Sequence, residues 1–342
     1  MITVLIFSYN RPYHLQRAIK YWGQFNYPVI IADGSNRPLL KPIPHNIEYL
    51  HRPGIGFLDR IREMSEKVET RYTVLTPDDD FIGFDGLQYI IDFLNKNPDY
   101  SSAQGLYTRY EKKESENYIY SHWDYSYASK YSHVDLSAEN RILAAMSYPI
   151  MHYCYSVMKL GCLMRAMKIL DGIDESLMSV STFEISFIFA LMSHGKYTTL
   201  PVFYMARERA MRQNDIAFDE WVDLNSTSGY AQWRSNIFHI FDKDCGLPFL
   251  QSTKIIDQSL GLILDGLRIK RINNISAAKN SNIKILKEKL RGALSTRSIN
   301  TLRLLFFKLN FFRYLYRIFK TNLKAYILFF SDWSRIKSAI RS

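Results

Sequence analysis

Three adjacent carboxylates that follow a short apolar segment constrain this chain more than any other feature. Residues 72–75 are apolar enough to predict a buried strand, and Asp78, Asp79 and Asp80 follow it closely. Alternation along an extended backbone puts Asp78 and Asp80 on one side and Asp79 on the other. Because such close charges repel, a closed site here needs a cation, and two oxygen ligands suit Mg²⁺ or Mn²⁺. The competing interpretation is an acidic turn that caps the next helix.

Four apolar segments, each leading into a polar loop, are predicted to form strands: residues 2–7, 29–32, 47–50 and 72–75. Helical patterns separate several of them, which is typical of a parallel α/β sheet flanked by helices. Ligands of such sheets bind outside the carboxyl ends of the strands. We therefore expect the polar groups at residues 8–11, 33–35 and 78–80 to line one crevice.

Several classes of protein are disfavoured by what the sequence contains. No G-x-G-x-x-G follows the first strand and no P-loop is present, which argues against a dehydrogenase or a P-loop NTPase. Cys154, Cys162 and Cys245 are odd in number and have no C-x-x-C spacing, so a reducing compartment is the simpler expectation. With no signal-peptide pattern and no apolar stretch long enough to span a bilayer, we expect a cytoplasmic protein.

The positive charge is concentrated near the end of the chain. Residues 289–342 contain 12 Lys and Arg residues and one acidic residue, Asp332. The net charge of this segment therefore equals the net charge of the whole chain, +11. The rest of the chain is neutral, and this argues against nucleic-acid binding as the main function. Residues 300–330 place aromatic and aliphatic side chains at helical spacing between basic ones, which predicts a peripheral anchor on the cytosolic face of an anionic inner membrane. An oligomer-forming or body-docking helix is the alternative.

Three motifs carry a resemblance to a known family. They are Ser8-Tyr9-Asn10-Arg11-Pro12, Asp33-Gly34-Ser35 and Asp78-Asp79-Asp80-Phe81, each after a predicted strand. Their order resembles the nucleotide-sugar half of a GT-A glycosyltransferase, close to glycosyltransferase family 2. The DDDF form resembles a bacterial branch of surface-polysaccharide synthesis, and residues 146–157 and 200–208 are similar to segments of that branch. The resemblance covers residues 2–215.

The resemblance implies a nucleotide-diphosphate sugar donor and a polysaccharide or lipid-linked glycan acceptor. It assigns the donor to Ser8, Tyr9, Asn10, Arg11, Asp33 and Asp79. Arg60 would lie near the diphosphate, with a solvated helix face as the alternative. It also implies Mn²⁺ or Mg²⁺ bound by Asp78, Asp80 and a third group, which Glu208 or its flanking arginines would supply.

An inverting transfer also needs a base to take the proton of the acceptor hydroxyl. The resemblance aligns Glu184 with the second acid of a family pair, although Phe183 replaces the first. Asp174 and Asp171 are alternative bases, and Glu184 at a helix start interacting with the macrodipole is the structural alternative. His152, in an aromatic cluster, is predicted to be a packed core histidine.

The predicted organisation is a GT-A domain over residues 1–215, with a nucleotide-sugar half (1–100) and an acceptor half (101–215), then a helical extension (216–342). Residues 100–135 are predicted to be irregular, with tyrosines that suit stacking on acceptor sugars. A helix is expected over residues 156–170 and late strands over 197–200 and 202–205. A non-catalytic carbohydrate-binding protein on a decayed transferase fold is the alternative function.

Overall fold

A computed structural model describes residues 1–112, 119–123, 132–147, 152–208, 229–279 and 323–341. The strands are β1 Ile2–Ser8, β2 Val29–Asp33, β3 Ile47–His51, β4 Tyr72–Pro77, β5 Phe81–Ile82, β6 Tyr100–Lys112, β7 Ile119–Trp123, β8 Val157–Lys159 and β9 Lys196–Glu208. The helices are α1 Pro12–Trp22, α2 Phe57–Glu66, α3 Phe84–Lys96, α4 Ala138–Met146, α5 Leu160–Ile169, α6 Val180–His194, α7 Gly229–Cys245, α8 Phe249–Lys279 and α9 Leu323–Arg341. Short 3₁₀ helices span Tyr153–Tyr155 and Glu175–Leu177.

The strands form one sheet in the order β3-β2-β1-β4-β8-β6-β9-β5, with β7 paired to β6. Strands β1 to β4 are parallel, as their separation by helices and long loops predicts. Beyond β4 the sheet is mixed, because β8 runs antiparallel to both β4 and β6 while β9 runs parallel to β6. The predicted α/β class, with helices against the sheet and a helical C-terminal region, is confirmed.

Strand alternation divides the apolar side chains between the two faces of the sheet. In β1, Leu5 belongs to a core formed with α2, α4, α5, α6, α7 and α8. Its neighbours Val4 and Ile6 belong to a second core, formed with α1, α3 and α9. Since side chains in a strand point alternately to opposite faces, helices must cover both faces of these strands.

Three local predictions are corrected by the pairing of the strands. Residues 100–112, predicted to be irregular, form the long strand β6 because β9 pairs with most of its length. Residues 157–159 form the short strand β8 rather than the start of a helix, because β4 and β6 hold them on either side. The two late strands are one, β9, with a register shift around Pro201, which has no N–H to donate to a ladder.

The described part of the C-terminal region packs against the body of the protein. Helix α9 inserts Phe329, Trp333 and Ile340 into the core that contains Val4. Asp332 accepts hydrogen bonds from the backbone N–H groups of Asp85 (2.9 Å) and Gly86 (2.8 Å), in the first turn of α3. A carboxylate at a helix N-terminus meets otherwise unpaired N–H groups and a favourable dipole.

Part of the predicted membrane segment therefore docks on the protein. Residues 300–322 of that segment lie outside the described residues. Phe329, near its end, is fully buried and packs on Phe203 of β9, with ring centroids 5.5 Å apart. In the described residues, we find no helix with the length and apolarity that crossing a bilayer requires.

Docking of α9 predicts losses of stability of very different size for two adjacent phenylalanines. Phe329→Ala removes a fully buried ring and should cost about 3–5 kcal/mol of stability. Phe330→Ala is the matched control, since 45% of Phe330 is exposed, and it should cost much less. Melting temperatures measured by circular dichroism test this, and equal shifts for the two variants would contradict the docking.

Candidate active site

The carboxyl ends of β1, β2 and β4 bring the predicted polar groups together. Ser8 pairs with Asp33 across β1 and β2, and Phe7 pairs with Pro77 across β1 and β4. The Ser8 hydroxyl donates to Asp78 Oδ2 at 2.7 Å, although 70 positions separate the two residues. The three loops thus meet at one edge of the sheet, as the parallel topology predicts.

Two arginines compensate the charge of the three aspartates. The Arg11 guanidinium donates to both Asp78 and Asp79, with 2.6 Å to Asp79 Oδ2. Arg207 Nε donates to Asp80 Oδ2 at 2.8 Å, and the N–H of Glu208 donates to Asp80 Oδ1 at 3.0 Å. Burial raises the pKa of Asp78 to about 7 and that of Asp80 to about 6, even though the arginines act to lower both.

The carboxylate of Glu208 has partners of its own. Its Oε2 accepts from Arg17 at 2.5 Å and from the Tyr110 hydroxyl at 3.0 Å. The Tyr110 hydroxyl also donates to the backbone carbonyl of Asp79 at 2.8 Å. Tyr110 and Arg17 are both fully buried, so they hold the acidic turn and the end of β9 together.

The predicted metal ligands are arranged in separate ion pairs rather than in one cluster. Among the described side chains, no group of three His, Cys, Asp or Glu residues is placed to hold a metal ion. Both oxygens of Asp78 and both of Asp80 already accept hydrogen bonds. In this arrangement the carboxylates do not fit a cation, because the guanidinium groups of Arg11 and Arg207 already bind them. The Mn²⁺ or Mg²⁺ site at Asp78, Asp80 and Glu208 stays a prediction from the sequence.

The loop after β1 has one exposed and one strained residue. Tyr9 is 59% exposed at the edge of the crevice. Asn10 has a left-handed backbone (φ 54°), which asparagine tolerates better than most residues, and its N–H donates to Ser35 Oγ at 2.8 Å. Asp33 is buried and accepts from the Ser35 N–H at 2.9 Å and from the Tyr49 hydroxyl at 2.7 Å.

Arg60 is a buried brace between strand ends and not a solvated residue. Its Nη1 donates to the backbone carbonyls of Ser8 (2.7 Å) and Ala32 (3.3 Å), at the ends of β1 and β2. Burial lowers its pKa. A Cβ at Gly34 would lie 2.7 Å from Arg60 Cζ, so glycine is required there for the guanidinium to pass.

Glu184 lies in the second turn of α6, where most neighbouring side chains are apolar. Ser179 caps the helix by accepting from the Thr182 N–H at 3.0 Å, so Glu184 lies beyond the capped end. Glu184 Oε1 is 3.3 Å from Nδ1 of His152, while the buried Oε2 has no hydrogen-bond partner among the described residues. His152 was predicted to be a packed core residue, but its side chain is 25% exposed and faces this carboxylate.

A series of contacts joins Glu184 to the acidic turn. The Arg207 guanidinium, bound to Asp80, lies 4.7 Å from the centroid of the Tyr155 ring. The rings of Tyr155 and His152 are 6.0 Å apart, and His152 contacts Glu184. Tyr155 and His152 thus link the candidate base to Arg207 and the acidic turn.

The alternative bases lie in different surroundings. Asp174 is exposed and accepts from the Ser176 N–H (2.9 Å) and hydroxyl (2.7 Å), and these bonds lower its pKa, opposite to what a base requires. The Asp171 side chain is 77% exposed and lies 3.4 Å from Arg62. Phe183, where the family pattern has an acid, instead packs on Phe57 of α2, with centroids 5.3 Å apart.

Several residues of the site had no clear signal in the sequence. Arg17 lies on α1 among apolar residues, and Tyr110 lies within the aromatic segment whose tyrosines suit stacking on sugars. Glu175 likewise has no signal in the sequence, although its two oxygens accept from the N–H groups of Phe57 and Leu58 at 2.6 Å and so cap α2. Only contacts between distant residues identify these roles. Most of the aromatic segment lies outside the described side chains.

Comparisons with known proteins identify neighbours by structure alone. No family model matches the chain, and neither does any curated protein sequence. Among solved structures, the chain is similar to residues 1–349 of S. aureus TarS, with a TM-score of 0.48, 13% identity, and coverage of 76% of this chain and 71% of that chain. The same fragment in complex with UDP-GlcNAc gives a TM-score of 0.47 and 13% identity, covering 76% and 72%. Scores this low carry no argument about function, which must rest on the residues of this chain.

The brace formed by Arg60 leads to a prediction. Arg60→Met removes the buried guanidinium that donates to the carbonyls of Ser8 and Ala32, and should cost about 1–3 kcal/mol. Because these strand ends carry the crevice, we expect weaker nucleotide binding as well. The same substitution at exposed Arg37, in the loop after β2, is the control, and an Arg60→Met variant as stable as that control would contradict a bracing role.

Proposed function

We propose that this protein is a glycosyltransferase that moves a sugar from a nucleoside diphosphate to a glycan or lipid-linked acceptor in bacterial surface-polysaccharide synthesis. The observation that carries the proposal is the convergence of buried carboxylates and arginines at the carboxyl ends of β1, β2 and β4, with Glu184 linked to Arg207 through His152 and Tyr155. Open α/β sheets bind ligands at this edge.

The donor half of the proposal rests on charge and exposure. Arg11 is 36% exposed at its side chain while it bonds Asp78 and Asp79, so part of the guanidinium is available to a ligand. A planar arginine fork suits diphosphate oxygens. Exposed Tyr9 offers a ring for stacking on a base, and the next residue, Asn10, is joined to Asp33 through Ser35.

The acceptor half of the proposal assigns proton removal to Glu184. As the acceptor oxygen forms its bond to the anomeric carbon, the bond from that carbon to the diphosphate breaks, and the acceptor proton passes to Glu184. The diphosphate leaves with the bonding electrons, and its charge is met by neighbouring cationic groups. This displacement inverts the anomeric centre. The unpartnered Oε2 supports this role, because a buried carboxylate oxygen without a donor is poised to take a proton.

A divalent cation is proposed only as a competitor of the arginines. Binding at Asp78 and Asp80 would require Arg11 and Arg207 to move from these carboxylates, after which both arginines could turn to the diphosphate. Mg²⁺ or Mn²⁺ would then offset charge on the leaving group.

Contact with an anionic membrane through the basic residues of 300–322 is part of the same proposal, since a lipid-linked acceptor lies at such a surface.

Nucleotide binding tests the donor site directly. We expect one of UDP, GDP and CDP to bind in calorimetric titrations with or without Mn²⁺, and Arg11→Met to weaken it by about tenfold or more, since one charged hydrogen-bonding group is lost. Exposed Arg37→Met is the control. Enhancement by Mn²⁺ that disappears in Asp80→Ala would support the predicted metal site.

Two results would redirect the proposal. Binding of none of the three nucleotides, with and without metal, would remove the donor site. Binding without release of nucleotide from any of the corresponding sugar nucleotides would favour the binding-module alternative. Release that is lost in Glu184→Gln, with nucleotide affinity unchanged, would support the role of this side chain in the transfer.

A further inference from the structure

His152 adopts a backbone conformation that needs an explanation. Its φ of 42° and ψ of 30° are left-handed, and Asn10 is the other described non-glycine residue with a positive φ. Such conformations cost an L-amino acid free energy and persist only where the surroundings hold them, often at functional sites. Here the turn is held by the Tyr155 N–H, which donates to the His152 carbonyl at 3.0 Å.

The strained turn directs the imidazole towards α6. Although His152 precedes the short 3₁₀ helix, its side chain makes no capping hydrogen bond. Nδ1 lies instead 3.3 Å from Glu184 Oε1. An ionised carboxylate can only accept, so the bond requires a hydrogen on Nδ1. The contact joins two segments that are 32 positions apart in the sequence.

The two oxygens of Glu184 differ as a result. Oε1 is bound by His152, whereas Oε2 is buried and has no partner in the part of the chain that the structure describes. The hydrogen bond from His152 fixes the rotation of the carboxyl group. Oε2 is then left to interact with a ligand in the crevice. A carboxylate that was merely buried for packing would be expected to have both oxygens satisfied.

We propose that His152 is a positioning residue, which holds Glu184 through Nδ1 so that Oε2 can receive the proton of the acceptor hydroxyl. This inference rests on the proposed transfer and adds a residue to it. The histidine keeps its Nδ1 hydrogen throughout. The proton taken from the acceptor stays on Glu184 until it is released to water after the glycan departs.

Four groups that surround the pair keep a fixed charge. Tyr107 from β6, Cys154 and Tyr155 from the 3₁₀ helix, and Arg207 from β9 lie around Glu184 and one another. Burial raises the pKa of the two tyrosines and of the cysteine, so these three groups stay neutral, while Arg207 stays charged.

The pair can be tested without any substrate. In protein labelled at histidine, the imidazole resonance of His152 is assigned by its loss in His152→Asn and is followed through a pH titration by NMR. If a carboxylate faces it, Glu184→Gln should lower the pKa of His152 by about one unit or more. An unchanged pKa in Glu184→Gln overturns the proposal.

Turnover then tests positioning. The probe is nucleotide release from UDP-, GDP- and CDP-sugars. His152→Gly keeps the left-handed backbone but removes the imidazole, and it should lower kcat by about 10- to 100-fold with unchanged donor affinity. His152→Asn tolerates the backbone and retains an N–H donor, so it should recover part of kcat.

The outcomes separate this inference from the function on which it rests. Equal kcat for His152→Gly and for exposed His45→Asn, the control, overturns positioning. A loss confined to melting temperature and donor affinity does the same, because it indicates a structural role only. If NMR detects the pair but the wild type releases no nucleotide from any donor, the transferase proposal fails and the pair itself stands.

Discussion

The site depends on the neutralisation of three buried aspartates by two arginines from opposite ends of the fold. Arg11 follows β1 and Arg207 ends β9, so the acidic turn after β4 is satisfied only when both strands are in place. Removing carboxylates from water without a partner is costly, and breaking such a pair leaves an uncompensated charge. The turn therefore ties the parallel half of the sheet to the mixed half, and local sequence around residues 78–80 cannot stabilise it alone.

The arginines also allow the charges of the crevice to be compensated in two ways. With Arg11 and Arg207 on the aspartates, the site is compensated from within the chain. An anionic ligand would compete for the same guanidinium groups, and a cation would compete for the same carboxylates. A diphosphate and a metal ion would then help each other to bind, since each releases the partner that the other needs.

The sequence predicted best what depends on local pattern. Apolar runs located β1 to β4, and because these strands are parallel, their polar ends had to meet, which brought Ser8, Asp33 and Asp78 together. It predicted poorly what depends on pairing between distant segments. Strand β8 is only three residues long, and it forms because β4 and β6 pair with it on either side. The role of Arg60 was ambiguous because its partner Ser8 lies far from it in the sequence. His152 resembled a core residue for the same reason: the partner that defines it lies 32 positions away.

The docking of α9 has a consequence for the order in which the molecule can be completed during synthesis. Asp332 binds the start of α3, with 246 positions between it and Gly86. Phe203 of β9 is not fully packed until Phe329 and Trp333 have emerged from the ribosome. Contacts so distant in sequence form slowly. Strand β9, which supplies Arg207, packs against α9, so the crevice acquires its full support only after α9 has been synthesised, and until then the nascent chain exposes apolar surface that favours aggregation.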